Sequence, residues 1–256
     1  MITSTQNPKV KLARALLGRP KEREQAGAFV VEGIRLVEEA HGASWPIRYV
    51  LRDESLNERG QALVERLVSD NVETDIISRR IMESISGTET PQGILAILDH
   101  APLPIPVSPN FILVLDQIRD PGNLGTLLRT ADAAGVQAVF LPPETADAFA
   151  PKAVRSGMGA HFRLPIRRQT WSEIQQVGKS ADLRIYLADM NGTPCWETDL
   201  RRPLALIVGG EAEGASVQAR QTAKQQISIP MAGGAESLNA AIAGSVLMFE
   251  VVRQRS

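Results

Sequence analysis

The stretch FILVLDQIRDPGNLGTLLRTADAAGVQAVFL, residues 111–141, decides the fold. It opens on an almost unbroken apolar run, FILVLD (111–116), and turns at Asp120-Pro121-Gly122-Asn123. Leu124, Leu127, Leu128 and Ala131 then recur at helical spacing, and the chain returns to an apolar run at AVFL (138–141). Apolar runs without polar alternation suit strands covered on both faces, which is the condition of a parallel sheet joined by helical crossovers. RIYLAD (184–189), LALIVG (204–209) and ISIPM (227–231) continue the pattern, so the segment reads as α/β with a parallel sheet.

Upstream, FVVE (29–32), RYVL (48–51) and QGILAILD (92–99) alternate with helical patterns, including one with Leu56, Leu63, Leu67 and Val68 on a single face. This predicts a second, smaller α/β part. Between the two lies APLPIPVSPN (101–110), with four prolines in ten positions. Proline fixes φ and removes a backbone donor, so the stretch reads as a stiff extended linker. The expected organisation is a domain over 1–100, a linker over 101–110 and a domain over 111–256.

The 256 residues carry a net charge of −1 and one cysteine, Cys195. A lone cysteine makes no internal disulfide and no multi-cysteine zinc site. No apolar run approaches the roughly 20 residues that cross a bilayer. The first residues are basic but lack an apolar core and a cleavage site, so a cytoplasmic protein with no membrane association is expected. Lys9, Lys11, Arg14, Arg19, Lys21 and Arg23 face a single acid, Glu22, within residues 1–23. Lys152, Arg155, Arg163, Arg167 and Arg168 face none within residues 151–168. Such local basic stripes on a neutral chain suit contact with phosphate, or simply solvated faces. Dinucleotide and P-loop fingerprints are missing; Gly157-Met158-Gly159 lacks the third glycine. His41, His100 and His161 are scattered, with no metal-ligand spacing, so no metal is expected.

Three polar, glycine-containing segments follow strands of the second part, where an open α/β sheet places its ligands. In the first (116–135), Asn123 suits a helix N-cap and Arg129 lies nearly two turns into the helix. In the second, IVGGEAEGAS (207–216), consecutive glycines permit close backbone approach to a ligand, and Glu211 and Glu213 add acceptors. In the third (227–245), Ile229 and Met231 precede a glycine turn, and Glu236, Ser237 and Asn239 crowd the start of the last helix. That helix, 237–255, is apolar nearly all round as far as Val252, so one side is expected against its own sheet and the other against a second subunit.

Together and in this order, the three segments resemble the motifs of the SpoU family of RNA ribose 2'-O-methyltransferases, in the SPOUT superfamily. The resemblance runs over residues 111–256. It rests on Asn123, Gly125 and Arg129 in NLGTLLRT, on Gly209, Glu211 and Gly214 in GGEAEG, and on Ile229, Pro230, Met231, Ser237, Leu238 and Asn239 in the third segment. Ala212 stands where the second motif often has glycine. The resemblance implies a parallel sheet whose C-terminal part is tied in a deep trefoil knot, a homodimer, and S-adenosylmethionine as methyl donor. It implies cofactor contacts at Gly209, Ile229, Met231 and Leu238, and a catalytic set of Arg129, Asn123, Glu211, Ser237 and Asn239. Arg129 would act either as a base toward the ribose hydroxyl or, its proton retained, as an electrostatic stabiliser of the developing alkoxide. The first hundred residues resemble the RNA-substrate-binding domain that precedes this catalytic domain. From the two basic stripes, RNA contacts are expected at Lys9, Lys11 and Arg14 and at Arg155 and Arg163. Ribosomal RNA is expected as substrate ahead of transfer RNA. The alternative is a non-catalytic RNA-binding protein that retains the fold.

Overall fold

The computed structural model describes residues 1–88, 90–210, 214–234 and 236–256. The chain divides into two units, Met1–Ala101 with Phe149–Phe162, and Pro102–Ala148 with Arg163–Ser256.

In the first unit, α1 (Pro8–Gly18) begins where the Asn7 side chain accepts the Lys9 N–H and Pro8 fills the first position. Both choices suit a helix start, where early N–H groups have no carbonyl partner. There follow α2 (Pro20–Ala26), β1 (Ala28–Glu32), α3 (Ile34–Gly42), β2 (Ile47–Arg52), α4 (Glu58–Ser69), β3 (Thr74–Ile76), α5 (Arg79–Ile85) and β4 (Ile94–Asp99). The sheet order is β1-β4-β2-β3, antiparallel except for the β2–β3 pair. Val10, Ala13 and Leu16 of α1 join Ile81, Met82 and Ile85 of α5 over one face of this sheet. Phe29 points from the other, its ring 4.9 Å from Phe149 and 6.3 Å from Trp45. Phe162 lies 5.3 Å from Trp45. The expectation of an unbroken 111–256 domain therefore gives way: Phe149–Phe162 packs with the first unit. Burial of large aromatic rings is the reason.

The chain continues through β5 (Phe111–Asp116), α6 (Pro121–Ala133), β6 (Ala138–Leu141), α7 (Pro151–Gly157, within the first unit), β7 (Ile166–Arg168), α8 (Trp171–Ser180), β8 (Arg184–Pro194), β9 (Leu204–Gly209), α9 (Val217–Thr222), β10 (Gln225–Ser228) and α10 (Ala240–Arg255). The second unit's sheet has the order β10-β8-β9-β5-β6-β7, with every neighbouring pair parallel. Every residue of β5 is buried, as its unbroken apolar run requires. Ile112, Val114, Phe140, Ile185 and Ile207 form one core with Ile174 of α8. Helices α6 and α10 pack together, and the Ser245 hydroxyl lies 3.0 Å from that of Thr130.

The proline-rich stretch is laid onto the second unit. The Leu103 carbonyl accepts from Arg167, Ile105 packs on the core, and the Asn110 carbonyl accepts from Leu204 N–H at 2.9 Å. Asp120, not Asn123, caps α6: its carboxylate accepts the Asn123 N–H at 2.9 Å. Pro121 suits the first helical position because its fixed φ is helical and it has no N–H to satisfy, so the cap must precede it. The last helix starts at Ala240 rather than 237, because the Asn239 side chain accepts from Ala241 and Ile242 N–H and ends the loop there. Among the described residues no helix is long and apolar enough to cross a membrane.

Candidate active site

The carboxyl ends of β8 and β9, the start of α9 and the loop from β10 to α10 surround a cavity of about 540 Å³. Gly209, Ile229, Met231, Ser237, Leu238 and Asn239, all expected site residues, line it. Val208 and Ile227 add apolar surface, and Asp189 and Arg220 add opposite charges. The backbone at Gly209 and Gly210 passes very close to its neighbours. A Cβ on Gly209 would sit 2.8 Å from the Ala215 nitrogen, and one on Gly210 would collide with the Gln117 carbonyl oxygen. No side chain fits at either position, which explains the paired glycines.

The structure does not gather all of the expected catalytic set. Asn239 lines the cavity, and its side-chain amide donates to Asn123 Oδ1 at 3.4 Å, joining the first segment to the third. Arg129 is exposed on α6 and is not part of the cavity lining. Glu211 and Ala212 lie outside the described residues.

Sequence reading missed three charged residues here. Asp189 follows the apolar run of β8, accepts Asn191 N–H at 3.0 Å, and pairs with Arg220 Nη1 at 2.6 Å. Burial alone would raise its pKa, but the Asn191 N–H and the Arg220 guanidinium outweigh it and hold the carboxyl below the usual range. Asp116 ends β5, is 1% exposed, and accepts Ser216 N–H at 2.7 Å. An acid directly after an apolar run was the available signal for both carboxylates. Nothing in the spacing marked Arg220.

The expected RNA contacts are dispersed. The Lys9 ammonium is bound by Glu73 and Asp75, which ties α1 to β3. Arg14 donates to Ser84 Oγ at 3.2 Å, and Lys11 is exposed. Arg23, counted in the basic stripe, is 3% exposed and donates to the Leu16 carbonyl at 2.5 Å. Arg155, in the first unit, lies 3.9 Å from the buried Glu32 carboxylate. Arg163, in the second, pairs with Asp132 at 2.9 Å. His41 pairs with Asp70 at 2.7 Å, while His100 and His161 belong to the aromatic cluster around Phe149.

A parallel sheet with its cavity at the strand carboxyl ends, edged by glycine-rich loops, is the architecture of an α/β enzyme that binds a small cofactor. Comparison with known proteins makes this specific. Residues 110–249 match the SpoU rRNA Methylase family and residues 7–96 the MRM3-like substrate binding domain. The chain belongs to the SpoU rRNA methylase family. It is 35% identical to the 23S rRNA (guanosine(2553)-2'-O)-methyltransferase RlmP of Bacillus subtilis, over 98% of each chain. It is 32% identical to the 23S rRNA (uridine(2479)-2'-O)-methyltransferase of Streptomyces viridochromogenes, covering 98% of this chain and 92% of that one. The crystal structure of the SpoU methyltransferase AviRb from Streptomyces viridochromogenes, in complex with the cofactor AdoMet, superposes with a TM-score of 0.87 at 30% identity. That match covers 97% of this chain and 99% of the other.

Proposed function

We infer that this chain is an S-adenosylmethionine-dependent methyltransferase acting on a ribose 2'-hydroxyl of ribosomal RNA. The observation that carries the reading is the cavity. It is built from the second and third motif segments, in a chain that aligns end to end with enzymes named for this reaction. Its residues fit the cofactor. Gly209 and Gly210 leave no room for a Cβ, apolar side chains suit a nucleobase, and Asp189 and Arg220 offer opposite charges to a zwitterionic amino-acid end. When bound, S-adenosylmethionine supplies an electrophilic methyl group; the protein supplies orientation and electrostatics.

Gly209, Ile229, Met231 and Leu238 are proposed to hold the cofactor, and Asn123, Glu211, Ser237 and Asn239 to orient the ribose. Arg129 is exposed and outside the cavity, so its proposed role is toward the RNA. A guanidinium keeps its proton at neutral pH, which suits holding a phosphate and stabilising the developing alkoxide. Lys11, Arg14, Arg155 and Arg163 are proposed to contact the RNA, Lys9 contributing mainly by holding α1 in place. Residues 1–100 are proposed to select the RNA and the domain beyond residue 110 to carry the chemistry.

A homodimer through α10 is part of the proposal. Ile242, Val246 and Phe249 are 54%, 40% and 49% exposed, one apolar stripe at helical spacing on a helix that buries Gly244, Leu247, Met248 and Val251 on its other side. The trefoil knot belongs to it as well, supported by the insertion of β9 between β5 and β8. A cytoplasmic location accords with the bacterial ribosomal relatives.

Incubating the purified protein with unmodified ribosomal RNA and S-adenosylmethionine labelled in its methyl group tests the reading. Label is expected in RNA, at a 2'-O-methyl nucleoside after digestion. Cofactor binding without transfer would leave the non-catalytic alternative.

A further inference from the structure

Asp116 is a carboxylate placed where a carboxylate is expensive. It is 1% exposed at the end of β5, in register with Gly209 of β9. An ionised acid in such a place needs hydrogen-bond donors. Among the described residues the donor is Ser216, whose N–H lies 2.7 Å from Asp116 Oδ2. Ser216 Oγ in turn accepts the Ala219 N–H at 3.1 Å and caps α9, the helix that carries Arg220 to the cavity. Ser216 also follows directly on the glycine-rich loop that begins at Gly209. Gly210 and Gly214 are joined by an isolated bridge, and Gly209, Gly210, Gly214 and Ala215 all line the cavity.

Asp116 itself is not part of that lining. Ala215, the neighbour of the Ser216 it holds, and Arg220 on the helix that Ser216 caps both are. The strand end it occupies is itself fixed: Gln117 takes a positive φ of 55° and donates its N–H to Thr145 Oγ1 at 3.1 Å, while Thr145 Oγ1 donates to the Leu115 carbonyl at 2.7 Å. The carboxylate thus stands on a braced base and reaches across to the residue where the glycine-rich loop passes into α9.

We propose that Asp116 is a positioning residue of the methyltransferase, whose carboxylate holds Ser216 and thereby sets Gly214, Ala215 and Arg220 in the arrangement that binds S-adenosylmethionine. This rests on reading the cavity as the cofactor site. Asp116 touches neither cofactor nor RNA; it acts on cofactor affinity through Ser216.

The test is calorimetric titration of the full chain with S-adenosylmethionine, alongside steady-state methyl transfer and RNA binding, for Asp116→Asn, Ser216→Ala and Ser216→Pro. Loss of a buried charge-assisted hydrogen bond should weaken cofactor binding by about tenfold or more in Asp116→Asn. KM for S-adenosylmethionine should rise in step, with kcat at saturating cofactor within about threefold of wild type and RNA affinity unchanged. Ser216→Ala keeps the N–H that Asp116 holds and removes only the cap of α9, so it should lose less. Ser216→Pro, whose ring suits the φ of −62° at this position, removes the N–H as well and should lose as much as Asp116→Asn. A folded Asp116→Asn with wild-type cofactor affinity, or a parallel loss of RNA binding, would overturn the proposal. If Asp116→Asn does not fold, Ser216→Pro decides: cofactor binding weaker than that of Ser216→Ala at unchanged RNA affinity supports the proposal, and binding equal to that of Ser216→Ala overturns it. Wild-type protein that binds no S-adenosylmethionine would instead remove the reading of the cavity on which the proposal stands.

Discussion

Asn239 serves two segments at once: its side-chain oxygen accepts from Ala241 and Ile242 N–H at the start of α10, and its side-chain nitrogen donates to Asn123 Oδ1 on α6 at 3.4 Å. The cap fixes the direction in which Ser237 and Leu238 enter the cavity, and the second bond ties that entry to the first motif.

Asn239→Ala should therefore show both losses. Removal of a helix cap costs about 1 kcal/mol, which lowers the melting temperature by about 2–4 °C in a chain of this size. Methyl transfer should fall by about tenfold or more, beyond what the stability loss explains, because an interaction orienting the reacting groups goes with it. Thermal melts and single-turnover rates at saturating RNA check the two effects separately.

The exposed stripe on α10 carries the assembly prediction. Light scattering of the wild-type protein at micromolar concentration should give twice the mass of one chain. Phe249→Glu or Val246→Glu should give monomer or insoluble protein, since an unpaired charge in an apolar interface costs several kcal/mol. A monomeric wild-type protein would contradict the dimer.

Alkaline titration tests the first unit. Burial pushes the Tyr49 hydroxyl from 10.0 up to about 12, with Arg48 pulling the other way and Glu73 and Asp75 adding to the rise. The hydroxyl donates to the Lys9 carbonyl at 2.9 Å, so the neutral form is the one that fits. A pKa raised on folding gives stability that is complete below pH 10 and is lost as pH rises from about 10 to about 12. Ultraviolet titration of the folded protein should show a phenolate step near the upper value that disappears in Tyr49→Phe.

A chain beginning near residue 108 should keep the cofactor cavity, all of whose lining lies in the second unit. It should bind RNA more weakly, with a salt slope shallower by about 1 for each phosphate that the missing bases no longer neutralise. It should also aggregate, because Phe149 and Phe162 are left without the Phe29 and Trp45 rings they pack on. Phe149→Ser with Phe162→Ser should restore solubility without changing S-adenosylmethionine affinity. Unchanged RNA binding and salt slope would argue against substrate selection by the first hundred residues.

The strands of the second unit were legible because their environment is simple. FILVLD and LALIVG are buried on both faces, and no competing pattern produces such runs. Gly209, Ile229, Met231, Ser237, Leu238 and Asn239 were legible through the order of three motifs, not through any one of them. What remained hidden depends on neighbours distant in sequence. Phe149–Phe162 gives no local sign that its rings belong with Phe29 and Trp45. Lys9 reads as a solvated base until β3 brings Glu73 and Asp75 beside it, and Arg23 until α1 offers the Leu16 carbonyl. The cap of α6 was a nearer miss. Both Asp120 and Asn123 can cap, and the fixed φ of Pro121 decides for the residue before it.

Mapping ribose methylation across the ribosomal RNA of cells with the gene, without it, and with Arg129→Ala in its place tests the methyl transfer itself. Arg129 is exposed and outside the cavity, so the substitution should leave folding and S-adenosylmethionine affinity intact while transfer falls by at least about 100-fold, as for removal of a group that stabilises the transition state. A 2'-O-methyl group is expected that vanishes on deletion, returns with the wild-type gene and stays absent with Arg129→Ala. A ribosomal methylation map identical in all three strains would contradict it.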